Sequence, residues 1–320
     1  MNNPDDLPID VAEMRAWLLA HKEATGRSWS ELAPLTGLKT GTLSPWATDR
    51  YAGDNERVAR EVYRYRQTLE SQAARDDGVL SDPGYFETPT AARLRALLVI
   101  AHRGRITVGA TGPGTGKTMA MREYKSSVSN CWIATMKPTT KGLTAMIGEV
   151  LRAVGGQAKG GWTRHLSHQV STNIAGRRGL LVIDEANHLE VEALEEIRAW
   201  HDDTGVGICL LGNEELLMRI RGGPRRDAFA RLNSRIAQSH VQNLPLAEDV
   251  EVFCDAWGLR DAGMRSLLKR IAMTPGAGGL RECRQIVEGG SMFAADDGAP
   301  LSLSHLRLAQ ETRATSHIKD

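Results

Sequence analysis

The chain has 320 residues, 41% of them hydrophobic and 25% charged, with a formal net charge of only +1. This length can bury a sizeable core and leaves room for two or three domains, while so neutral a total neither supports nor excludes a nucleic-acid partner, because a local basic patch vanishes in it. Cys131, Cys209, Cys254 and Cys283 are scattered without a CxxC pair, the N-terminus has no signal-like pattern, and no apolar run reaches the roughly 18 residues a bilayer needs, so a cytoplasmic protein with reduced thiols is expected.

Residues from about 10 to 70 read as short helices without strand-like runs. Within them Ser28–Trp46 has helix-turn-helix spacing: small Ala33 lets two helices approach, and Gly37, four residues later, suits the tight turn. Leu32, Leu38, Leu43 and Trp46 are the expected small core, with Lys39, Thr40, Thr42 and Ser44 facing out toward a DNA groove. Pro45 should shorten the second helix. Arg50, Arg57, Arg60, Arg64 and Arg66 suit phosphate contacts or simply solubility. A first domain over 1–72 and a linker over 73–89 follow, because Asp76–Gly84 is dense in turn formers.

From 90 to 243 helical segments alternate with short apolar runs, Ile106–Ala110, Cys131–Thr135, Leu180–Ile183, Ile208–Leu211 and Ile236–Val241. Such alternation predicts an α/β domain, a parallel sheet between layers of helices. The first strand runs into Thr111-Gly112-Pro113-Gly114-Thr115-Gly116-Lys117-Thr118 and then a helical segment. Glycines let backbone N–H groups turn inward around phosphate oxygens, and a helix N-terminus adds partial positive charge. Lys117 is expected on the β- and γ-phosphates of ATP, and the Thr118 hydroxyl on Mg²⁺. One position departs from the strict P-loop pattern: Thr111 stands where glycine is usual.

The strand Leu180–Ile183 ends in Asp184-Glu185, where ligands bind in open α/β sheets. Asp184 is the candidate magnesium residue and Glu185 the candidate for polarising the attacking water. The strand over 208–211 ends at Asn213, whose amide suits the lytic water or the γ-phosphate. Arg219, Arg221, Arg225, Arg226, Arg231 and Arg235 then crowd a stretch offset by Asp227 alone. An arginine just before the last strand suits a trans-acting finger on a neighbour's γ-phosphate, Arg235 first and Arg231 second; the others suit DNA phosphates or a solvated face. Residues 244–320 look helical throughout, and Arg281, after Gly278-Gly279, is placed to fold back on the nucleotide.

Taken in order, the helix-turn-helix spacing, TGPGTGKT, LLVIDE, LLGN and a short helical block resemble the Mu B-like family of phage transposition proteins. These are AAA+ ATPases related to the TnsC-type target-selection ATPases of transposons. The resemblance implies an AAA+ P-loop ATPase core with an N-terminal helix-turn-helix domain and a small C-terminal helical lid. It implies ATP and Mg²⁺ as cofactors, and double-stranded DNA, a transposase and further copies of the chain in a helical filament as partners. It also makes Asn213 the first sensor residue and turns Lys137, Thr139 and Lys141 toward DNA in the filament bore. A nucleotide-regulated transcription regulator and a helicase-loader-type replication ATPase are the alternatives the residues leave open.

Overall fold

The structure, a computed structural model, describes residues 9–76, 79–157, 160–221 and 229–313. The chain divides into two compact units, Met1–Val79 and Leu80–Asp320.

The smaller unit is helical: α1 (Val11–Thr25), α2 (Trp29–Leu35), α3 (Thr40–Ala47) and α4 (Asn55–Asp76). The starts of α1 and α2 are chemically marked. Asp10 caps α1 by accepting from the backbone N–H of Ala12 at 2.8 Å and Glu13 at 3.2 Å, and Glu31 reaches back to the Ser28 N–H at 2.8 Å to box α2. Gly37, at a φ of 69°, turns the chain between α2 and α3. Leu18, Leu32, Leu43, Trp46, Val58 and Val62 are fully buried together, with Leu38 packed against them in part. Pro45 lies inside α3, which stops two residues later at Ala47. The fourth helix is longer than the short elements expected. It contains neither glycine nor proline and runs to Asp76, through residues expected to begin the linker, because no breaker precedes Gly78.

In the larger unit Thr88 caps α5 (Pro89–His102), which leads into β1 (Ile106–Thr111) and α6 (Lys117–Ser127). Then come β2 (Cys131–Thr135), α7 (Leu143–Ala153), α8 (Thr163–Ile174), β3 (Leu180–Asp184), α9 (Val191–Thr204) and β4 (Gly207–Gly212). The last core elements are α10 (Glu214–Arg221), α11 (Ala230–Arg235) and β5 (Ile236–Gln242). The five strands form one parallel sheet in the order β2-β3-β4-β1-β5. Every residue of β1, β3 and β4 is buried. Alternate residues serve opposite faces: Leu181 and Ile183 join the cluster under α7, α8 and α9, while Leu180 and Val182 join the one with α5 and α6. All five expected strands are present, each extended by no more than one residue at an end.

A helical C-terminal region follows, α12 (Ala247–Ala256), α13 (Ala262–Ala272), α14 (Leu280–Asp296) and α15 (Leu303–Thr312), around Phe253, Leu268, Ile286 and Leu306. Its attachment to the sheet is polar. Asp249 is fully buried and accepts from the Thr90 N–H at 2.9 Å, the Thr90 hydroxyl and the Leu246 N–H at 2.7 Å. Gln242 donates to the same threonine oxygen at 2.6 Å and to Leu244 O at 3.0 Å. One carboxylate thereby ties the start of α5, the exit of β5 and the start of α12. A buried charge persists only with its acceptor sites filled in this way.

All four cysteines are free and buried. Burial pushes the thiols of Cys131 and Cys254 up to about 11, and those of Cys209 and Cys283 up to about 12. The thiolate is the reactive form, so the folded protein should resist a thiol-labelling reagent at pH 8, with four groups reacting only after denaturant is added. Fast labelling of any one in the native protein would contradict this packing.

Candidate functional site

The loop between β1 and α6 is held by backbone contacts on both sides. Gly112 N donates to Gln242 O at 3.0 Å, and Leu280 N donates to Gly114 O at 3.0 Å. A Cβ on Gly112 would stand 1.9 Å from Asn243 O, and one on Gly114, at a φ of 70°, would stand 1.8 Å from Gly278 O. Neither position has room for a side chain, so glycine is a packing requirement at both and, at Gly114, a conformational one as well. Thr111 is fully buried, and its hydroxyl lies 3.0 Å from that of Thr115, which also reaches Gly112 O at 2.9 Å. The departure from the usual glycine therefore adds a hydroxyl pair that braces the loop from inside.

Lys117 and Thr118 open α6, both half-buried. The Lys117 ammonium donates to Thr111 O at 2.6 Å and Gly212 O at 3.2 Å, bridging the ends of β1 and β4. Burial pulls its pKa below the ordinary lysine value, while the charges of Glu185 and Asp184 oppose that fall. Asp184 ends β3, only 4% exposed, and accepts from the Glu185 N–H at 3.0 Å. Burial, and then the charge of Glu185, push its carboxyl up; Lys117 and Arg122 pull it back. Glu185 itself sits in the left-handed region, at φ 54° and ψ 38°, a conformation costing a non-glycine residue about 1–2 kcal/mol.

Lys117, Thr118 and Glu185 border a cavity of about 570 Å³, whereas Asp184, the residue before Glu185, stands outside its lining. Its floor is Gly112–Met119, and Glu185, Asn213 and Arg281 line it as well. The Asn213 Oδ1 is buried without a hydrogen-bond partner among the described residues. Arg281 is exposed in the first turn of α14. The remaining wall was invisible in the sequence. Asp82, Tyr85 and Phe86, from the segment expected to be a linker, face Phe253 of α12, Trp257 just after it and Arg284 of α14 across it. Arg284 pairs with Asp82 at 2.8 Å, and burial raises the Tyr85 phenol above its usual pKa. The available signal was the adjacent aromatic pair at 85–86, conspicuous among turn-forming residues. Apolar rings beside a glycine-rich loop suit a flat, hydrophobic ligand group.

The other candidates lie elsewhere. Arg235 is engaged by Asp202, at 3.1 Å and 3.3 Å, and Asp202 also pairs with Arg198. Arg231 is exposed on α11, and neither arginine lines the cavity. Arg219 and Arg221 are occupied within the fold: Arg219 donates to Asn187 O and Leu189 O, and Arg221 to the Ser239 hydroxyl at 2.9 Å. Arg225 and Arg226 lie outside the described residues. Lys137, Thr139 and Lys141 are exposed on the turn after β2, with Lys141 3.3 Å from Glu190. In the smaller unit Lys39 and Thr40 are exposed, whereas Thr42 and Ser44 are half-buried. No group of three or more His, Cys, Asp or Glu suited to a metal occurs among the described residues, and none of their helices is long and apolar enough to cross a membrane.

Residues 103–220 match the AAA domain family, and residues 234–312 match the C-terminal domain of the Mu B transposition protein. The chain is 32% identical over 302 residues to the ATP-dependent target DNA activator B of Escherichia phage Mu, covering 94% of this chain and 95% of that protein. The activator B of Escherichia phage D108 matches to the same extent. The Mu-like prophage FluMu DNA transposition protein B of Haemophilus influenzae is 31% identical over 255 residues, 79% of this chain and 87% of its own length. The parallel sheet with its flanking helices is thus the core of an AAA domain.

The packing of the loop can be tested without touching a charged group. Gly112→Ala would drive a methyl into Asn243 O and should weaken binding of a fluorescent ATP analogue by about tenfold or more, with little change in far-ultraviolet circular dichroism. Unchanged affinity would mean that the loop and the exit of β5 are not locked together.

Proposed function

This chain belongs to the Mu B transposition protein family, and from that premise we propose that it is an ATPase of DNA transposition. In this reading it assembles on target DNA as an ATP-bound helical filament, selects target sites, delivers them to the transposase, and leaves the DNA on hydrolysis. The observation that carries the reading is the convergence of Lys117, Glu185, Asn213 and Arg281 on one cavity floored by a glycine-rich loop.

The cavity divides by chemistry. The aromatic end, Tyr85, Phe86, Phe253 and Trp257, takes the adenine. The backbone of Gly112–Thr118 takes the phosphates, and Lys117 exchanges carbonyl contacts for phosphate oxygens. Arg281 folds over the same phosphates from α14. The donor set also fits Mg²⁺, since Asp184 and the Thr118 hydroxyl are hard oxygen ligands beside the phosphate loop. Burial and a neighbouring negative charge raise the Asp184 pKa, and a cation there would reverse that unfavourable balance. When bound, the ion neutralises charge on the phosphate oxygens. Glu185 accepts hydrogen bonds from the attacking water and draws proton density from it, and the orphaned Asn213 Oδ1 helps orient that water.

For the assembled state we assign Arg235 to the γ-phosphate of the next subunit, with Arg231 as its neighbour; within one subunit Arg235 is paired with Asp202. Lys137, Thr139 and Lys141 meet DNA phosphates in the filament bore. In the smaller unit, Lys39, at the start of α3, and Thr40, Thr42 and Ser44 on it belong to a helix-turn-helix surface. Contacts of this kind make affinity fall steeply with salt.

Sedimentation of duplex DNA with and without ATP tests the function directly: ATP should bring the protein down with the DNA, footprinting should then show continuous, sequence-indifferent coverage, and equally weak binding in both conditions would refute it. Lys117→Ala should lose nucleotide affinity. Glu185→Gln should keep it, slow turnover by about a hundredfold or more, and leave the protein locked on DNA; unchanged hydrolysis would remove Glu185 from the chemistry.

The trans-acting assignment has a separate signature. Arg235→Ala should match the parent in dilute protein without DNA, and should fall behind by about tenfold or more once the protein assembles. An equal loss at every protein concentration would make Arg235 an internal structural residue instead.

A further inference from the structure

Glu185 stands on a strained turn that its own side chain does not hold. After it the chain forms a 3-10 turn, Ala186–His188, in which His188 N donates to Glu185 O and Leu189 N to Ala186 O, each at 3.1 Å. Two later carbonyls of the turn are taken by one side chain from another element. Arg219 of α10 donates through Nη1 to Asn187 O at 2.7 Å and through Nη2 to Leu189 O at 2.8 Å. Its guanidinium also lies over the ring of Phe229, 6.0 Å from the centroid.

The turn in turn touches the end of β4. Asn187 Oδ1 accepts from the Asn213 N–H at 3.4 Å, and a Cβ on Gly212 would meet that same oxygen at 2.9 Å. Helix α10 begins at the next residue, Glu214, and Leu216, Leu217 and Ile220 bury its inner face in the sheet core. Arg219 is therefore anchored by the helix that follows Asn213 and reaches back to the turn that carries Glu185. The two groups assigned to the attacking water are indexed to each other through this guanidinium as well as through the longer Asn187–Asn213 contact. A planar fork with several donors suits two separate carbonyls, a task for which lysine's single ammonium is poorly matched.

We propose that Arg219 is a positioning residue for ATP hydrolysis, fixing Glu185 relative to Asn213 without touching the nucleotide. Arg219 does not line the cavity, so its effect belongs in turnover rather than in binding. The inference rests on the reading of Glu185 as the water-polarising group.

The full-length protein carrying Arg219→Ala, Arg219→Lys or Glu185→Gln would be compared with the parent for affinity toward a fluorescent ATP analogue, for kcat with saturating ATP and DNA, and for Tm. Arg219→Ala should lower kcat by about tenfold or more and leave nucleotide affinity within about threefold, since small misplacements at a reacting centre are costly in rate. Arg219→Lys should recover part of that kcat, and it supplies the same comparison if the alanine variant does not fold. If Glu185→Gln abolishes turnover while kcat of the arginine variants stays within about twofold of the parent, Arg219 has no positioning role. Parallel loss of affinity and turnover with a lowered Tm in both arginine variants would likewise overturn the proposal, as a general structural defect. Should Glu185→Gln hydrolyse ATP normally, the reading of Glu185 fails, and this inference with it.

Discussion

Backbone packed directly on backbone sets the candidate site. The phosphate loop lies between the exit of β5 and the entry of α14, so close to each that Gly112 and Gly114 have no space for a methyl group. The hydrogen bond from Leu280 N to Gly114 O brings the helical C-terminal region onto the loop at the residue before Arg281. Asp249 performs the matching service on the other flank, joining α5, β5 and α12 through Thr90 and Gln242. Phe253 and Trp257 follow on and just after that same helix. The aromatic wall and the glycine-rich floor thus share a common frame, although Phe253 and Trp257 come from a segment far along the chain from the loop.

What was legible in the sequence was local. The five strands announced themselves by apolar runs, and Thr111–Thr118 and Asp184-Glu185 by residue type at fixed spacing after a strand. Arginines were harder. Their density between 219 and 235 suggested a finger or a DNA surface, yet Arg219 is satisfied by two backbone carbonyls and Arg235 by Asp202, thirty-three positions earlier in the chain. A carbonyl acceptor has no residue identity, so no motif could announce the first arrangement. The aromatic wall was missed for a different reason. Turn formers around Tyr85 and Phe86 signal irregular backbone correctly, but irregular backbone can still be packed. Phe253 and Trp257 carry the ordinary signature of an amphipathic helix, which says that they are buried and not against what.

The electrostatics of the floor are unbalanced in both directions. Burial disfavours the charged form of Lys117 and of Asp184 alike, and each only partly relieves the other. Two adjacent carboxylates, Asp184 and Glu185, face one ammonium that is already committed to carbonyl oxygens. A polyanionic phosphate chain accompanied by a divalent cation supplies both missing signs together, which neither partner does alone. This is the physical basis for the proposal that ATP and Mg²⁺ bind as a pair.

The left-handed backbone at Glu185 has a consequence for how sequences at this position are selected. The conformational penalty belongs to the Cβ and not to the carboxylate, so glutamine inherits it in full, whereas glycine escapes it and asparagine partly does. A screen for thermal stability would reward those two replacements while discarding the carboxylate proposed to polarise the attacking water. Residue 185 is a position at which stability and activity pull toward different amino acids, and glutamate there is a choice made against the fold's own preference.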